Sequence, residues 1–480
     1  MRTLLCLWCQ GMYILVHYRI TFDANIAGLR FMPGNDHKIT PLAALVAALA
    51  MGLAAPAVSA ESADTAPAAT ASADANAARA SMRSYESNLE LIETQQGAYG
   101  ADLPETLFGM GLALQSQGRH DEAIALFKRG VHLNRVNYGL YSDTQIPLIQ
   151  AEIKSHLAQR DYSSADDRQA YLYRVQMHVA GEDGPKADAY MQQADWQYAA
   201  YRSGIGQYDY TRLMNMWDLY RAALTETAER EGNVSPNLKP PLEGMLQTLY
   251  LMADYQFPQQ GMSSNEDITA RVSLNRFTAY RAQSYERGST VIATLRELEL
   301  NNSNPETAAE NLVMLGDWHL WNGKKNAAWE AYAEAYGELA GLGAAQDSDT
   351  PGSTEPAQES KQESTHENDA VGDGDNAEGD SEAIREVAAL AEPVPLPDFA
   401  DLQPLPMVAT PEEGNILLEF GVTATGKVVD LERLDDNEAL DGKANRLMRK
   451  LRRTTFRPRF EAGQAVASEN VTRSFYIRQQ

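Results

Sequence analysis

Cysteine is nearly absent from this chain of 480 residues, and both cysteines lie within its first ten positions. Cys6 and Cys9 have the C-x-x-C spacing of some redox and metal sites, but no second pair follows and only His17 is near. Beyond this pair the chain has no thiol that could act as a nucleophile. We therefore expect neither a thiol-based nor a metal-based centre.

Positive charge is also scarce, since 41 Lys and Arg residues stand against 66 Asp and Glu residues, for a formal net charge of −25. Such a balance repels phosphates, so it disfavours non-specific binding to nucleic acid. The mean hydropathy of −0.41 argues against a multi-pass membrane protein. The length exceeds what one core usually organises and predicts two or three domains.

The motifs of several enzyme classes are missing as well. The eight histidines are scattered without H-E-x-x-H, and neither G-x-S-x-G nor a Walker-type glycine-rich loop occurs. His120 and His319 lie in helical patterns and are interpreted as packing or surface residues. We predict no catalytic residue, no cofactor and no metal site, and hence a protein that is not an enzyme.

A secretory signal peptide is predicted over residues 32–60. A lysine precedes an apolar run, and the small residues of Ala57–Ala60 suit a cleavage site. Because such a signal opens a protein, we expect Met32 to be the true start and residues 1–31 to be an upstream extension. The mature chain would then begin near Glu61, in the periplasm.

The alternative is an uncleaved membrane anchor. About 20 apolar residues span a bilayer, and Ile39–Ala60 is long enough. Its high alanine content and its small-residue site favour cleavage. An uncleaved anchor would place the protein in the inner membrane, facing the periplasm.

Helical periodicity dominates residues 81–342, after a tail over 61–80 whose composition predicts disorder. Residues 343–412 are predicted to form a linker. Its first part is rich in Asp, Glu, Ser and Gly and has few large apolar residues. Burial therefore cannot offset the conformational entropy that this part would lose on folding, which predicts disorder. Five prolines then stiffen the approach to the last domain.

Two stretches of the helical region share a pattern of small and apolar residues that suits a helix–turn–helix. The spacing from glycine to alanine is twelve residues in both, and an aromatic residue follows the alanine by four. The stretches are Leu107, Gly111, Leu114, Gly118, Ala123, Phe127 and Gly130, and Leu312, Gly316, Gly323, Ala328, Tyr332 and Ala335. Both resemble tetratricopeptide repeats, although each lacks the usual closing proline. The alternative is a generic α-helical bundle.

Aromatic residues are frequent between these two stretches. At helical spacing they favour packing between helices, and a concave peptide-binding face is the second interpretation. They include Trp196, Tyr198, Tyr201, Tyr208, Tyr210, Trp217 and Tyr220.

Residues 413–480 change to a β pattern. Ile416–Val422 and 427–433 read as two strands joined by a turn at Gly426, and Asp441–Arg453 reads as an amphipathic helix with a basic face. A last strand follows from about Asn470 to Ile477. The predicted order is strand, strand, helix, strand.

This order, with Phe-x-Pro after the helix and a glycine turn before the last strand, resembles the C-terminal domain of the TonB family. The residues that carry the resemblance are Phe420, Val422, Gly426, Val428, Phe456, Pro458, Gly463 and Phe475, with the apolar face of the helix. It covers about the last 65 residues only, and an unrelated α+β module is the alternative. The fold class predicted is thus mainly α: a repeat body resembling tetratricopeptide repeats, plus a small C-terminal α+β (ββαβ) domain that resembles TonB.

The resemblance implies a domain that pairs an exposed strand with an extended peptide of an outer-membrane receptor. The candidate partner-binding residues are Val471, Arg473, Phe475 and Ile477, which share one face of the last strand. We predict a periplasmic protein–protein adaptor whose partners are cell-envelope proteins such as outer-membrane receptors. The alternative is a membrane-anchored TonB-type energy transducer in transmembrane transport, associated with the membrane only if Ile39–Ala60 is uncleaved.

Overall fold

The computed structural model describes residues 67–206, 209–256, 268–348, 387–408, 410 and 413–478. These residues are mostly helical and end in a small region of antiparallel strands, which confirms the prediction of a mainly α fold with a small C-terminal α+β region. The helices of the body are α1 (Pro67–Gln96), α2 (Leu103–Ser116), α3 (His120–Tyr138), α4 (Ile146–Ala158), α5 (Tyr162–Ala180), α6 (Ala187–Arg202), α7 (Asp209–Glu231), α8 (Lys239–Asp254), α9 (Ile268–Ala282), α10 (Ser284–Asn301), α11 (Pro305–Trp321) and α12 (Lys325–Ser348). Short 3-10 turns occur at Asp143–Gln145, Pro236–Leu238, Ala388–Leu390 and Glu438–Leu440.

Two helix pairs, α2 with α3 and α11 with α12, use glycine to bring their axes close together. A Cβ atom on Gly111 would lie 2.3 Å from the Phe127 ring, and one on Gly316 would lie 2.4 Å from the Tyr332 ring. The turns between these helices contain glycines with positive φ, 75° in both cases. Each predicted helix–turn–helix is therefore present, with its aromatic ring seated on the glycine.

The same contact between a glycine and an aromatic ring recurs in the middle of the body, outside the two stretches that share the glycine–alanine–aromatic spacing. A Cβ atom on Gly244 would lie 2.5 Å from the Tyr220 ring, and one on Gly288 would lie 2.3 Å from Trp318. Trp318 is fully buried and donates its indole N–H to the Tyr285 carbonyl at 3.0 Å. Close helix approach is thus a general feature of the body.

The C-terminal module contains β2 (Ile416–Val422), β3 (Val428–Arg433), α13 (Asp441–Leu451) and β7 (Ser468–Phe475), with shorter strands β1 (Val394–Pro395), β4 (Phe456–Arg457), β5 (Arg459–Glu461) and β6 (Gln464–Val466). The main sheet is antiparallel in the order β3–β2–β7, so β3 and β7 are its edges. The apolar side of α13 covers one face through Ala444, Leu447 and Leu451, in a core that also contains Phe420 and Phe456.

Several predicted boundaries differ from the structure. Helix α1 begins at Pro67, inside the predicted tail of 61–80, and α12 continues to Ser348, beyond the predicted end at 342. Within the predicted linker, residues 387–408 pack on the helical body and on the sheet, because Leu390 and Leu396 are apolar enough to be buried there. The proline-rich second part of the predicted linker is therefore packed against the chain over residues 387–408.

The predicted signal peptide and the extension before it lie outside the described residues. Among the helices that the structure describes, none combines the length and the apolar character needed to span a bilayer.

Candidate binding surfaces

Strand β7 carries three of the four residues that the sequence proposed for partner binding, and Ile477 follows two residues after its end. Phe475 is fully buried, and Val471 and Ile477 pack, partly buried, against the core of the C-terminal module. Arg473 forms an ion pair with Glu392. The structure thus turns these four side chains toward the chain itself, so a partner strand would meet the backbone edge of β7.

Part of that edge is already paired. The Val408 N–H donates to the Ser474 carbonyl at 3.1 Å, and the Tyr476 N–H donates to the Pro406 carbonyl at 3.0 Å. Met407 lies opposite Phe475 in antiparallel register. Residues 406–408 therefore extend the sheet as a short added strand at one end of β7.

The other end of the same edge is irregular. The register between β2 and β7 shifts between Phe420 and Val422, and Asn470 has a positive φ of 55°. Such a bulge bends an edge strand and limits uncontrolled pairing. Backbone groups alternate in direction along a strand, so the N–H and carbonyl groups of Thr472 point to the same edge of β7 as the Ser474 carbonyl.

A second surface lies on the helical body and is formed by aromatic residues of α8 and α11. The Tyr250 ring meets Trp318 edge-on at 4.6 Å between centroids, and Trp321 at 5.1 Å. Phe399 stacks on the other side of Tyr250, at 5.9 Å and 22°. We call the surface formed by Tyr250, Trp321, Tyr198 and Gln247 the aromatic groove; the buried Trp318 supports Tyr250 from the core.

Asp401 anchors the same segment two residues after Phe399. Its carboxylate accepts a hydrogen bond of 2.6 Å from the Tyr198 hydroxyl and one of 2.9 Å from the Gln247 amide. Burial, and then the hydrogen bond to Asp401, raise the pKa of Tyr198, so this hydroxyl stays a donor at neutral pH. The groove therefore contacts an aromatic ring and a carboxylate two residues apart in the same segment.

A cavity of about 310 Å³ opens beside this contact, between α6, α7, α8 and the segment that carries Phe399 and Ala400. The carboxyl groups of Asp195 and Glu243 line it, together with the Tyr220 ring. Burial raises the pKa of both carboxyl groups. The Tyr220 hydroxyl donates a hydrogen bond to Asp195 at 2.9 Å, which lowers the pKa of Asp195 in part. The cavity thus has two acidic residues in its lining, both in a partly buried setting.

A buried ion pair fixes the C-terminal module to the body. The Arg457 guanidinium contacts the Asp317 carboxylate at 2.5 Å, and the Tyr332 hydroxyl donates to the other Asp317 oxygen at 2.7 Å. Asp317 is 3% exposed and Arg457 is 7% exposed. Burial raises the pKa of Asp317 to about 6, although the guanidinium lowers it in part. Phe460 packs on Tyr332 with 4.9 Å between ring centroids.

Most of the aromatic residues that the sequence singled out pack within the helical body. Tyr210, Trp217 and Tyr220 are buried in the core of the body, as packing requires. Tyr198 faces Asp401 in the groove, and Tyr208 lies outside the described residues.

The sequence did not indicate Phe399, Asp401, Asp317 or Arg457. A signal was available for Asp317, which is a charged residue on the apolar side of α11. For residues 396–402 the sequence offered as a signal only Leu396 and Phe399, two apolar residues close to several prolines.

The described residues include no group of three or more His, Cys, Asp or Glu side chains arranged to hold a metal ion. His319 is half-buried, and its Nδ1 lies 3.1 Å from the Tyr285 hydroxyl. Burial lowers the pKa of this imidazole. His319 is therefore part of the contact between α10 and α11.

Comparison with known proteins adds little. No protein-family model matches the sequence, and neither does any curated protein. Among solved structures, the chain is similar to the crystal structure of BtubC (BKLC) from P. vanneervenii, at 11% identity over 60% of this chain and 99% of that one. The TM-score is 0.31, and at that level the similarity carries no argument about fold or function.

Proposed function

We propose that the protein is a periplasmic binding adaptor whose C-terminal module accepts an extended peptide of a cell-envelope partner at the edge of β7. The observation that carries the proposal is the pairing of residues 406–408 with that edge. An extended segment is held there by backbone hydrogen bonds, which is the contact that strand addition uses.

The order β3–β2–β7, with a helix between β3 and β7, supports the resemblance of this module to the TonB C-terminal domain. The helix pairs built on Gly111 and Gly316 support the resemblance of the body to tetratricopeptide repeats. In the adaptor, the body holds the module through the Asp317–Arg457 pair and provides further binding surface.

Site-specific photo-crosslinking in living cells tests the adaptor. Benzoylphenylalanine at Tyr476, which is 52% exposed at the end of β7, should capture the same discrete partner in repeated experiments. The matched control is Tyr138, which is 53% exposed at the end of α3 and should not capture that partner. Equal crosslinking at both positions, or none at Tyr476, contradicts the proposal.

Cell fractionation separates the adaptor from the alternative, a TonB-type energy transducer. A soluble periplasmic chain whose peptide map begins near Glu61 supports the adaptor. Retention in the inner membrane together with peptides from Ile39–Ala60 supports the transducer, since that apolar stretch would then be an uncleaved anchor.

A further inference from the structure

Residues 396–402 lie on the helical body in the way a bound peptide would. Leu396 is 2% exposed, Phe399 stacks on Tyr250, and Asp401 is bound by Tyr198 and Gln247. Leu396 packs with residues of α11 and α12 and with Phe460, and Phe460 alone among these partners lies outside the helical body. The groove therefore recognises side chains of an extended segment that is remote in sequence.

The fit of this segment is incomplete at its centre. Ala400, between the two anchors, has a positive φ of 49°, a conformation that costs free energy in residues other than glycine. Its methyl group lines the cavity of about 310 Å³ beside the Asp195 and Glu243 carboxyls. A longer side chain at this position has room to enter the cavity.

The anchors at Phe399 and Asp401 are also weak enough to be exchanged. Asp401 is exposed, so water competes for the groups that form its hydrogen bonds. Phe399 is only half-buried. The segment remains in place because it is tethered, and a tether supplies an effective concentration on the order of millimolar.

We propose that the aromatic groove exchanges its own segment for a partner peptide in which an aromatic residue, a basic residue and an acidic residue follow one another. The aromatic ring takes the place of Phe399, and the acidic residue meets Tyr198 and Gln247. The Lys or Arg side chain extends from the position of Ala400 toward Asp195 and Glu243. This surface is separate from the edge of β7, and the inference rests on the proposed role in binding.

Fluorescence anisotropy with two labelled peptides tests the exchange. One peptide has the sequence VPLPDFADLQ of residues 394–403, and the other carries Lys in place of the residue equivalent to Ala400. Each is titrated with the unchanged mature chain and with the double variant Phe399→Ala/Asp401→Ala, in which the tethered competitor is weakened. The matched control is Gln403→Ala, which alters an exposed residue of the same segment.

The double variant should bind both peptides at least tenfold more tightly than the unchanged chain and the Gln403→Ala control. The lysine peptide should bind at least fivefold more tightly than its parent, and Glu243→Gln in the double variant should reduce that preference. Tyr198→Phe in the double variant should weaken both peptides, because the donor to the carboxylate is lost.

Failure to bind either peptide in a folded double variant overturns the exchange, and equal affinity for the two peptides overturns the requirement for a basic residue. If circular dichroism shows that the double variant has lost its helices, hydrogen exchange of the unchanged chain decides. Excess lysine peptide should accelerate exchange at residues 396–402, and unchanged rates overturn the proposal. Crosslinking at Tyr476 with no peptide binding here would reject the groove and keep the adaptor.

Discussion

At the scale of single residues, small side chains decide where helices meet. Gly111, Gly244, Gly288 and Gly316 each face an aromatic ring that occupies the space of a Cβ atom. The sequence pattern identified Gly111 and Gly316, because their spacing to the following alanine and aromatic residue is the same. It did not identify Gly244 and Gly288, because their rings come from helices at other sequence distances.

Gly316→Ala should destabilise the body by about 1–3 kcal/mol, since the new methyl group must displace the buried Tyr332 ring. Gly337→Ala is the matched control on α12, where a Cβ atom meets nothing within 4 Å. That control should stabilise the helix by about 0.5–1 kcal/mol, because alanine loses less backbone entropy. Thermal unfolding followed by circular dichroism compares the two variants, and equal shifts would contradict the argument.

Arg457→Met should destabilise the chain by about 3–5 kcal/mol at pH 8, because a buried carboxylate at Asp317 loses its cation. The defect should be smaller at pH 5. In the folded chain the pKa of Asp317 is about 6, against an ordinary 3.8. The protonated carboxyl group therefore stabilises the folded state below pH 3.8, and this stabilisation is lost as the pH rises through 6. Without the guanidinium that pKa rises further, and at pH 5 the group is neutral.

The control for this variant is Asp317→Asn/Arg457→Met, which removes both charges. At pH 8 it should be more stable than Arg457→Met alone, since no unpaired charge is then buried. Urea unfolding at both pH values measures the difference. A defect of Arg457→Met that is independent of pH would show that Asp317 does not titrate in this range.

At the scale of elements, the order of strands and helix in the C-terminal module followed from alternation and periodicity along the chain. Ile416, Leu418, Phe420 and Val422 are buried as predicted for one face of β2. The sequence did not predict the short added strand at residues 406–408. Pro404 and Pro406 indicated a stiff linker, and local sequence says nothing about the edge of a remote strand.

Val408→Pro should open the edge of β7, because it removes the N–H that donates to the Ser474 carbonyl. We expect the Tyr476 amide, which donates to Pro406 in the same pairing, to exchange its hydrogen about tenfold faster, a loss of roughly 1.4 kcal/mol by the relation between rate and free energy. Val408→Ala keeps the N–H and should leave the exchange rate near that of the unchanged chain. Identical rates in the two variants would indicate that residues 406–408 do not hold the edge.

At the scale of the whole molecule, the C-terminal module and the body are joined directly and do not depend on the linker alone. The contacts that connect them include the Asp317–Arg457 pair, the packing of Phe460 on Tyr332, and the stacking of Phe399 on Tyr250. The described residues from Thr70 onward accordingly belong to one compact unit.

Combining Phe399→Ala, Arg457→Ala and Phe460→Ala should release the module from the body. The radius of gyration from small-angle X-ray scattering should then increase, while the circular dichroism of the helices stays close to that of the unchanged chain. Val429→Ala is the control, because Val429 is 40% exposed on β3. An unchanged radius in the triple variant would mean that other contacts hold the module.

The sequence by itself determined the helical body, the two glycine-based helix pairs and the ββαβ order of the last domain, because each depends on residues close together in the chain. Tertiary structure alone decided that Arg457 would pair with Asp317, that Asp401 would reach Tyr198, and that residues 406–408 would cover part of β7. Each of these contacts joins residues distant in sequence. Their free energy comes from burial and geometry, which exist only after the elements have packed.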